Sequence, residues 1–415
     1  MGRSSSIQSA PPRGKSPQTQ LRLRVTTAAE SALRSGHPWV FSNSIREQNR
    51  AGAPGQLGVV YDRNNRFLAI GLFDPDSPLR LRVLHTGKPM PVNRQFFIER
   101  FQNAKAKRNG LFDSNTNGFR WINGESDGWP GLVLDRYADT VVLKLYTVSW
   151  LPWLEQLVEI ILAAFGPQRI VLRLSRNIQE SAARQFAKTD AQTLAGSTLD
   201  QPVLFSESGL RFEADVLRGQ KTGFFLDQRE NRRKVELLAK GRSVLNAFSF
   251  SGGFSVYAAR GGARSVTDLD ISAHALASSD RNFHLNSSID PIHTCRRETI
   301  QADAFDWLGS NPRRKFDLIV LDPPSMARRQ TDREEAIRAY SRLAVLGAGH
   351  LSPNGILVAC SCSAHVSEQE FYHAIQSAVA KTKSRIFELQ RTGQPADHPA
   401  TFPEARYLKA IYLQF

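Results

Sequence analysis

Cysteine is scarce: Cys295, Cys360 and Cys362 are the whole supply in 415 residues. Three thiols cannot build a disulfide framework, which points to a reducing compartment and a cytoplasmic protein. Cys360 and Cys362 form a CxC pair, but no second Cys/His cluster completes a ligand set, so no metal is expected. No uninterrupted apolar run approaches the length that crosses a bilayer. VEIILAAF, around Ile160, reads as a core helix at most, and no membrane partner is expected. The stretch NAFSFSGGF at 246–254 lacks GxGxxG spacing and a phosphate-loop Lys-Ser/Thr, which disfavours NAD or ATP there. Internal repeats are absent. Residues 1–20 contain no acidic side chain and almost nothing to bury.

What is present is a globular composition, 41% apolar and 22% charged, in a chain too long for one ordinary core. The formal net charge of +15 makes a polyanion, most often nucleic acid, the expected partner. Residues 1–20 read as a disordered basic tail, an arm near RNA. Met1-Gly2 with Ser6 also matches a myristoylation pattern, and the Arg/Ser-rich composition matches a transit peptide. Residues 21–87 alternate short apolar strands (LRLRV, GHPWVF, LGVVYD, RFLAIGLF, LRLRVL) with turns and one helix, Thr27–Arg34. A small barrel is expected, with Arg22, Arg24, Arg34, Arg80 and Arg82 placed to track a phosphate backbone. Residues 88–203 read as an α+β unit, with helices over 92–111 and from about Leu151 to Phe165, the strand RIVLRLS, and a polar linker at 185–200. From 204 to 415, a helix from about Leu226 precedes strands at SVLNAF, SVTDLD, FDLIVLD and GILVACS. These alternate with helical segments and predict a doubly wound α/β domain closing on a strand at Tyr407–Phe415.

The first strand-to-helix turn of that domain holds Asn246, Ala247, Phe248, Ser249, Ser251, Gly252 and Gly253. Small residues let the backbone approach a ligand, and the helix N-terminus offers unpaired N–H groups. Some 20 residues on, SVTDLD ends in Asp270, followed by Ile271, where a carboxylate can accept both ribose hydroxyls. Asp303-Ala304 closes a short third strand, where an adenine amino group can be read; either acid alone would more often cap a helix. A ribose acid and an adenine contact with no phosphate reader suit S-adenosylmethionine.

Two further strand ends carry chemistry. Asp322-Pro323-Pro324-Ser325 follows DLIVL, and its stiff prolines offer a surface against which a planar base could rest. Cys360-Ser361-Cys362-Ser363 ends GILVA; Cys362 lies one residue pair beyond Cys360 on the same face. Cys360 and Cys295 read as buried structural thiols. Cytosine C5 is a poor nucleophile until a thiolate adds to C6, so such a site needs a cysteine beside a carboxylic acid on the ring N3 edge. Cys362 and Asp322 would fill those roles, with Asp322 kept protonated by burial and the base flipped out of its stack.

At these residues the chain resembles the bacterial family of large-subunit (23S) ribosomal RNA cytosine-C5 methyltransferases that carry an N-terminal PUA domain. GHPWVF with FLAIGLFDPDSPLRLRVL resembles the PUA segment, and NGESDGWPGLVLDRYAD the central domain. GQKTGFFLDQRENR, NAFSFSGGFSVYAA, LDIS, DAF, LDPPS and SCS resemble a Rossmann-like class I methyltransferase core. The resemblance implies that Asn246 to Gly253 wrap the methionine part of the cofactor. It gives the ribose to Asp270 with Ile271, the adenine to Asp303 with Ala304, the base to Asp322, and the nucleophile to Cys362. Gln220, Phe225, Gln228 and Arg229 would line the lip between cofactor and RNA, with Pro323 and Pro324 beside the base. Ribosomal RNA is the implied partner, and a homodimer is left open. Many cytosine-C5 methyltransferases put a cysteine where Pro324 stands, so the burden falls on Cys362. The competing readings are guanine or adenine N-methylation without a nucleophile, an RNA-binding assembly factor with a vestigial pocket, and a small-molecule methyltransferase.

Overall fold

The structure, a computed structural model, describes residues 20–327, 329–382 and 385–415. The tail expected over residues 1–20, with its arm, myristoylation and transit readings, lies almost wholly outside the described residues. The chain divides into two compact units between Pro89 and Met90.

In the first unit, β1 (Leu21–Val25) buries alternate residues, Leu21, Leu23 and Val25, and leads into α1 (Thr27–Arg34). The Thr26 hydroxyl caps α1 by accepting from the Ala29 amide. There follow β2 (Trp39–Phe41), β3 (Ile45–Gln48), β4 (Leu57–Tyr61), β5 (Phe67–Phe73) and β6 (Leu79–Thr86). They pair in the order β2-β6-β5-β4-β1-β3, with only β1 and β4 parallel. The arginines expected to track phosphate are partly committed elsewhere. Arg34 bridges Glu30 and Asp62 at 3.1 and 2.8 Å, Arg24 reaches Glu47 at 3.6 Å, and Arg22 stacks over Tyr61.

The second unit opens with α2 (Arg94–Ala106), β7 (Gly118–Asn123), β8 (Leu132–Tyr137), β9 (Thr140–Leu145), α3 (Leu154–Phe165) and β10 (Arg169–Leu174). The end of α4 (Gln179–Phe186) and the strand β11 (Gln192–Ala195) fall within the expected linker; β11 is a half-buried edge strand, so it shows no apolar alternation. The sheet order is β11-β10-β9-β8-β7. By length and composition, Val148–Phe165 could cross a membrane. Its apolar character is spread among Ser149, Glu155, Gln156 and Glu159, so no uninterrupted run announces it. In the fold, Pro152 sits in its leading 3-10 turns, and Leu154, Leu157, Ile160 and Ile161 are buried.

A hairpin, β12 (Val203–Glu207) and β13 (Leu210–Ala214), then α5 (Arg229–Leu238), lead to the main sheet. Its elements are β14 (Ser243–Ala247), α6 (Gly253–Arg260), β15 (Ser265–Asp270), α7 (Ala273–Leu285), α8 (Asp290–Thr294), β16 (Arg296–Gln301), α9 (Ala304–Ser310) and β17 (Phe316–Leu321). α10 (Arg333–Gly349), β18 (Leu351–Ser361), α11 (Glu368–Ala380), β19 (Phe387–Thr392) and β20 (Lys409–Gln414) complete it. The order is β16-β15-β14-β17-β18-β20-β19, with β20 antiparallel to both neighbours and the five strands from β16 to β18 parallel. The chain moves outward from β14 to β16 and then returns to β17 on β14's other side. That reversal opens a crevice at the carboxyl ends of β14 and β17, where ligands bind in open α/β sheets.

Period-two alternation sorts the strands between two cores. Val244, Leu318, Val320, Ile356, Val358 and Cys360 face one; Leu245, Ala247, Ile319, Leu321, Leu357 and Ala359 face the other. The first core also takes Tyr137, Val142 and Val171 from the β7–β11 sheet, beside Phe205, Phe212 and Phe224. This shared core is why residues 90–203 and 204–415 form one compact unit.

Candidate functional site

The loop between β14 and α6 is an unusual piece of backbone. Phe248, Phe250 and Gly252 all have positive φ, at 63°, 47° and 71°. A Cβ at Gly252 would overlap Ser279 Oγ, so only glycine fits. Phe248 and Ser249 donate their amides to the Leu269 carbonyl, and Phe250 donates to Asp270 Oδ2 at 2.9 Å. Asp270 Oδ1 accepts the Ser272 amide at 2.9 Å. Each oxygen thus holds one backbone N–H and keeps a second lone pair for a ligand hydroxyl. Ile271, 69% exposed, offers an apolar surface beside it.

Beneath the loop, Asn246 turns inward. Its Nδ2 donates to Ser255 Oγ and Asp268 Oδ1, at 3.0 and 3.1 Å. Asp268, fully buried, also accepts from Ser279 and is shifted upward by burial. Asp268 was not singled out from sequence, although an acid two residues before Asp270 inside an apolar strand is a readable signal. Ala247, Ser249, Ser251, Gly253 and Ala304 are buried. Asp303 caps α9, with Oδ1 accepting the Phe305 and Asp306 amides at 2.8 and 3.1 Å. Asn246 Oδ1 and Ser249 Oγ are buried with no hydrogen-bond partner among the described residues. Polar atoms left unpaired under a ribose-ready carboxylate fit a nucleoside with a polar amino-acid arm.

Across the crevice, Asp322 leaves β17 and Cys362 leaves β18, on neighbouring parallel strands whose register pairs Leu321 with Ala359. Gln228 Nε2 donates to Asp322 Oδ1 at 2.9 Å. Its own Oε1 accepts from Asn231 Nδ2 at 2.6 Å, and Asn231 Oδ1 accepts from Thr392 and Tyr412. That chain fixes which end of the Gln228 amide faces Asp322. Burial, reinforced by the negative charge of Asp227, lifts the Asp322 carboxyl to about 7.

The two serines of SCS hold the cysteine between them. Ser361 and Ser363 are fully buried. Ser363 Oγ accepts the Met326 and Ala327 amides at 3.1 and 3.2 Å and meets Tyr340 OH at 2.8 Å. Ser361 Oγ donates to the same Tyr340 oxygen. The loop carrying Asp322 is thereby stitched to the turn carrying Cys362. Cys362 is half-buried, whereas Cys360 is buried in the core. Cys295, expected to be buried, is only half-buried because it packs on the core's edge. Burial pushes the Cys362 thiol up to about 11, opposed mainly by the positive charge of Lys221.

Lys221 itself went unnoticed in the sequence. Its φ is +53°, its Nζ reaches Asp227 Oδ2 at 2.5 Å, and it stands 4.5 Å from the Phe225 ring centre. Tyr407 OH donates to the same Asp227 oxygen at 2.7 Å. Phe225 meets Phe250 edge-on at 4.9 Å and so joins this cluster to the 246–253 loop. Gln220 is exposed, Pro323 buried and Pro324 exposed. Arg229, expected on the lip, is buried; it pairs with Asp397 at 2.5 Å and stacks on Phe112, so its charge is turned inward.

The doubly wound sheet and the polar loop at its switch point define a nucleoside-binding α/β domain, with Asp322 and Cys362 just beyond neighbouring strand ends. An S-adenosylmethionine-dependent methyltransferase family model matches residues 175–414, and a PUA-like domain model matches 23–86. A "Ribosomal RNA large subunit methyltransferase" from Deinococcus radiodurans is 56% identical, over 95% of this chain and 97% of that protein. A "Ribosomal RNA large subunit methyltransferase I" from Shewanella denitrificans is 34% identical, over 94% and 98%. Among solved structures, a methyltransferase complexed with S-adenosylhomocysteine superposes with TM-score 0.81 at 25% identity, over 95% of this chain and all of that one. The chain belongs to the S-adenosylmethionine-dependent methyltransferases, in the branch that joins a PUA-like domain to the catalytic fold and includes the ribosomal RNA large subunit methyltransferases. S-adenosylmethionine is its cofactor.

Proposed function

We propose that the protein methylates C5 of a cytosine in large-subunit ribosomal RNA, with Cys362 as nucleophile and Asp322 as the acid on the N3 edge. The names of the relatives support the substrate class. The observation that carries the chemistry is the half-buried Cys362 thiol stitched through Ser363 to the loop of a carboxyl lifted to about 7. Near neutral pH, Asp322 exists in both forms. Its ionised form can take the Cys362 proton, and its protonated form can pass that proton to N3. Cys362 Sγ then bonds to C6, and the C5=C6 electron pair becomes available at C5. S-adenosylmethionine supplies the electrophilic methyl group that C5 accepts. Loss of the C5 proton to solvent reforms C5=C6, expels the Cys362 thiolate and lets N3 return its proton to Asp322. Gln228, held by Asn231, keeps Asp322 aimed throughout. Asp270, Ile271, Asp303 and the 246–253 loop hold the cofactor, Phe225 and Pro324 flank the base, and residues 21–87 add RNA affinity.

Methylation of an exocyclic amine needs only the Asp322–Pro323 turn, and a thiol as high as about 11 favours that second reading. The test is methyl transfer from labelled S-adenosylmethionine to protein-free 23S RNA, followed by digestion to nucleosides, for wild type and Cys362→Ala. Label in 5-methylcytidine that disappears in the variant is expected. Label in another nucleoside, or a fully active variant, would overturn the thiol mechanism.

A further inference from the structure

β20 begins with Lys409, whose partner across the antiparallel ladder is Ser361. The residues that follow, Ala410, Ile411, Tyr412 and Leu413, are buried, and Lys409 is fully buried with them. Its Nζ donates to the carbonyl oxygens of Ser363 at 2.6 Å and Val366 at 2.5 Å. The ammonium therefore lies under the turn that carries Cys362. No carboxylate pairs with it among the described residues. A buried ammonium without a carboxylate is costly, and an apolar side chain would fill the same strand position without that cost.

The charged and titrating groups that act on Cys362 include Lys221, Asp322, Asp227 and Lys409, and Tyr340 and Cys360 also interact with it; those that act on Lys409 are Cys362 and Glu368. The two lysines differ in one respect. Lys221 is neutralised by direct contact with Asp227, whereas Lys409 spends its hydrogen bonds on neutral carbonyls. An anion formed at Cys362 would be the first partner of opposite charge on that turn.

We propose that Lys409 is a positioning residue for Cys362: its ammonium pins the 361–366 turn through two carbonyls and holds a positive charge beneath the sulfur. This rests on the assignment of Cys362 as nucleophile. Burial lowers Lys409 to about 8, so it remains mostly charged at neutral pH, where the charge is needed.

The test uses the full chain in a Cys295→Ala background, so that Cys362 is the exposed thiol. Iodoacetamide alkylation rates are measured at pH 7, where Lys409 carries its charge, and at pH 9.5, where it does not, beside kcat and KM for methyl transfer to 23S RNA. Lys409→Met removes charge and donor; Lys409→Gln removes the charge but keeps an amide that can serve a carbonyl; Lys409→Arg keeps the charge. We expect the Met and Gln variants to slow alkylation at pH 7 roughly tenfold, with a smaller difference at pH 9.5, and to lower kcat at least roughly tenfold, with KM within about twofold. Lys409→Arg should alkylate at pH 7 at about the wild-type rate. If Lys409→Met does not fold, the Gln variant decides. A Gln variant with wild-type alkylation at pH 7 and wild-type kcat would reduce Lys409 to a staple and overturn the proposal. A fully active Cys362→Ala would sink the nucleophile assignment instead, and the alkylation rates would still report whether Lys409 acts on the thiol.

Discussion

Burial and the charge of Asp227 raise the Asp322 carboxyl, and that has a consequence for stability. Its folded value, about 7, lies above the ordinary carboxylate value of 3.8. Between those limits the folded chain binds the proton more tightly than the unfolded one. Stability from this group is therefore present at low pH and lost as pH rises through about 7. Asp322→Asn mimics the protonated form. We expect it to gain roughly 2 kcal/mol of stability on wild type between pH 5 and pH 8, and to lose methyl transfer by about a hundredfold or more. A stability difference that stays the same from pH 5 to pH 8 would show that the carboxyl is not strained at the higher pH. At this scale the sequence revealed the groups that end apolar strands, Asp270, Asp322 and Cys362. Lys221, Asp227, Tyr407 and Lys409 stayed hidden because their meaning is pairwise across the chain. Tyr407 meets Asp227 from 180 residues away, and Tyr412 meets Asn231 from 181.

The elements that were legible are those with one demand on them. β14, β15, β17 and β18 are apolar on two faces and bounded by turns, and α1 has a polar cap and a short apolar face. β3, β11 and β19 lie at sheet edges and are mostly exposed or half-buried, so their residues carry no alternation to read. The 246–253 loop falls between these cases: its small residues marked a ligand turn, but the left-handed Phe248 and Phe250 are set by the Leu269 carbonyl and Asp270 rather than by residue type. Gly252 tests that loop directly. Gly252→Ala adds a left-handed alanine, costing roughly 1–2 kcal/mol, and an overlap with Ser279 Oγ. Cofactor affinity by calorimetry should fall about tenfold or more, and adding Ser279→Ala should recover only the steric part. Wild-type affinity in Gly252→Ala would mean that the loop rearranges freely.

For the whole molecule, composition is a better guide to partners than to boundaries. A division at residue 203/204 follows the change of pattern, yet Tyr137, Val142 and Val171 pack into the same core as Phe205 and Phe212, a fact no local composition carries. Charge is more transparent. Arg108–Asp127, Arg120–Asp135, Arg229–Asp397 and Arg232–Glu207 are buried pairs that cancel internally. The excess of +15 must therefore be carried by other groups, most of them at the surface. A protein that neutralises several phosphates releases condensed counterions, so its RNA affinity depends steeply on salt, whereas a phosphate-free cofactor in a crevice releases few. Between 50 and 200 mM salt we expect filter-binding affinity for 23S RNA to fall by roughly a thousandfold. Over the same range, S-adenosylmethionine affinity should change by about twofold or less. A salt-insensitive RNA affinity would mean that the surface charge serves solubility and that recognition rests on a few buried contacts around Cys362.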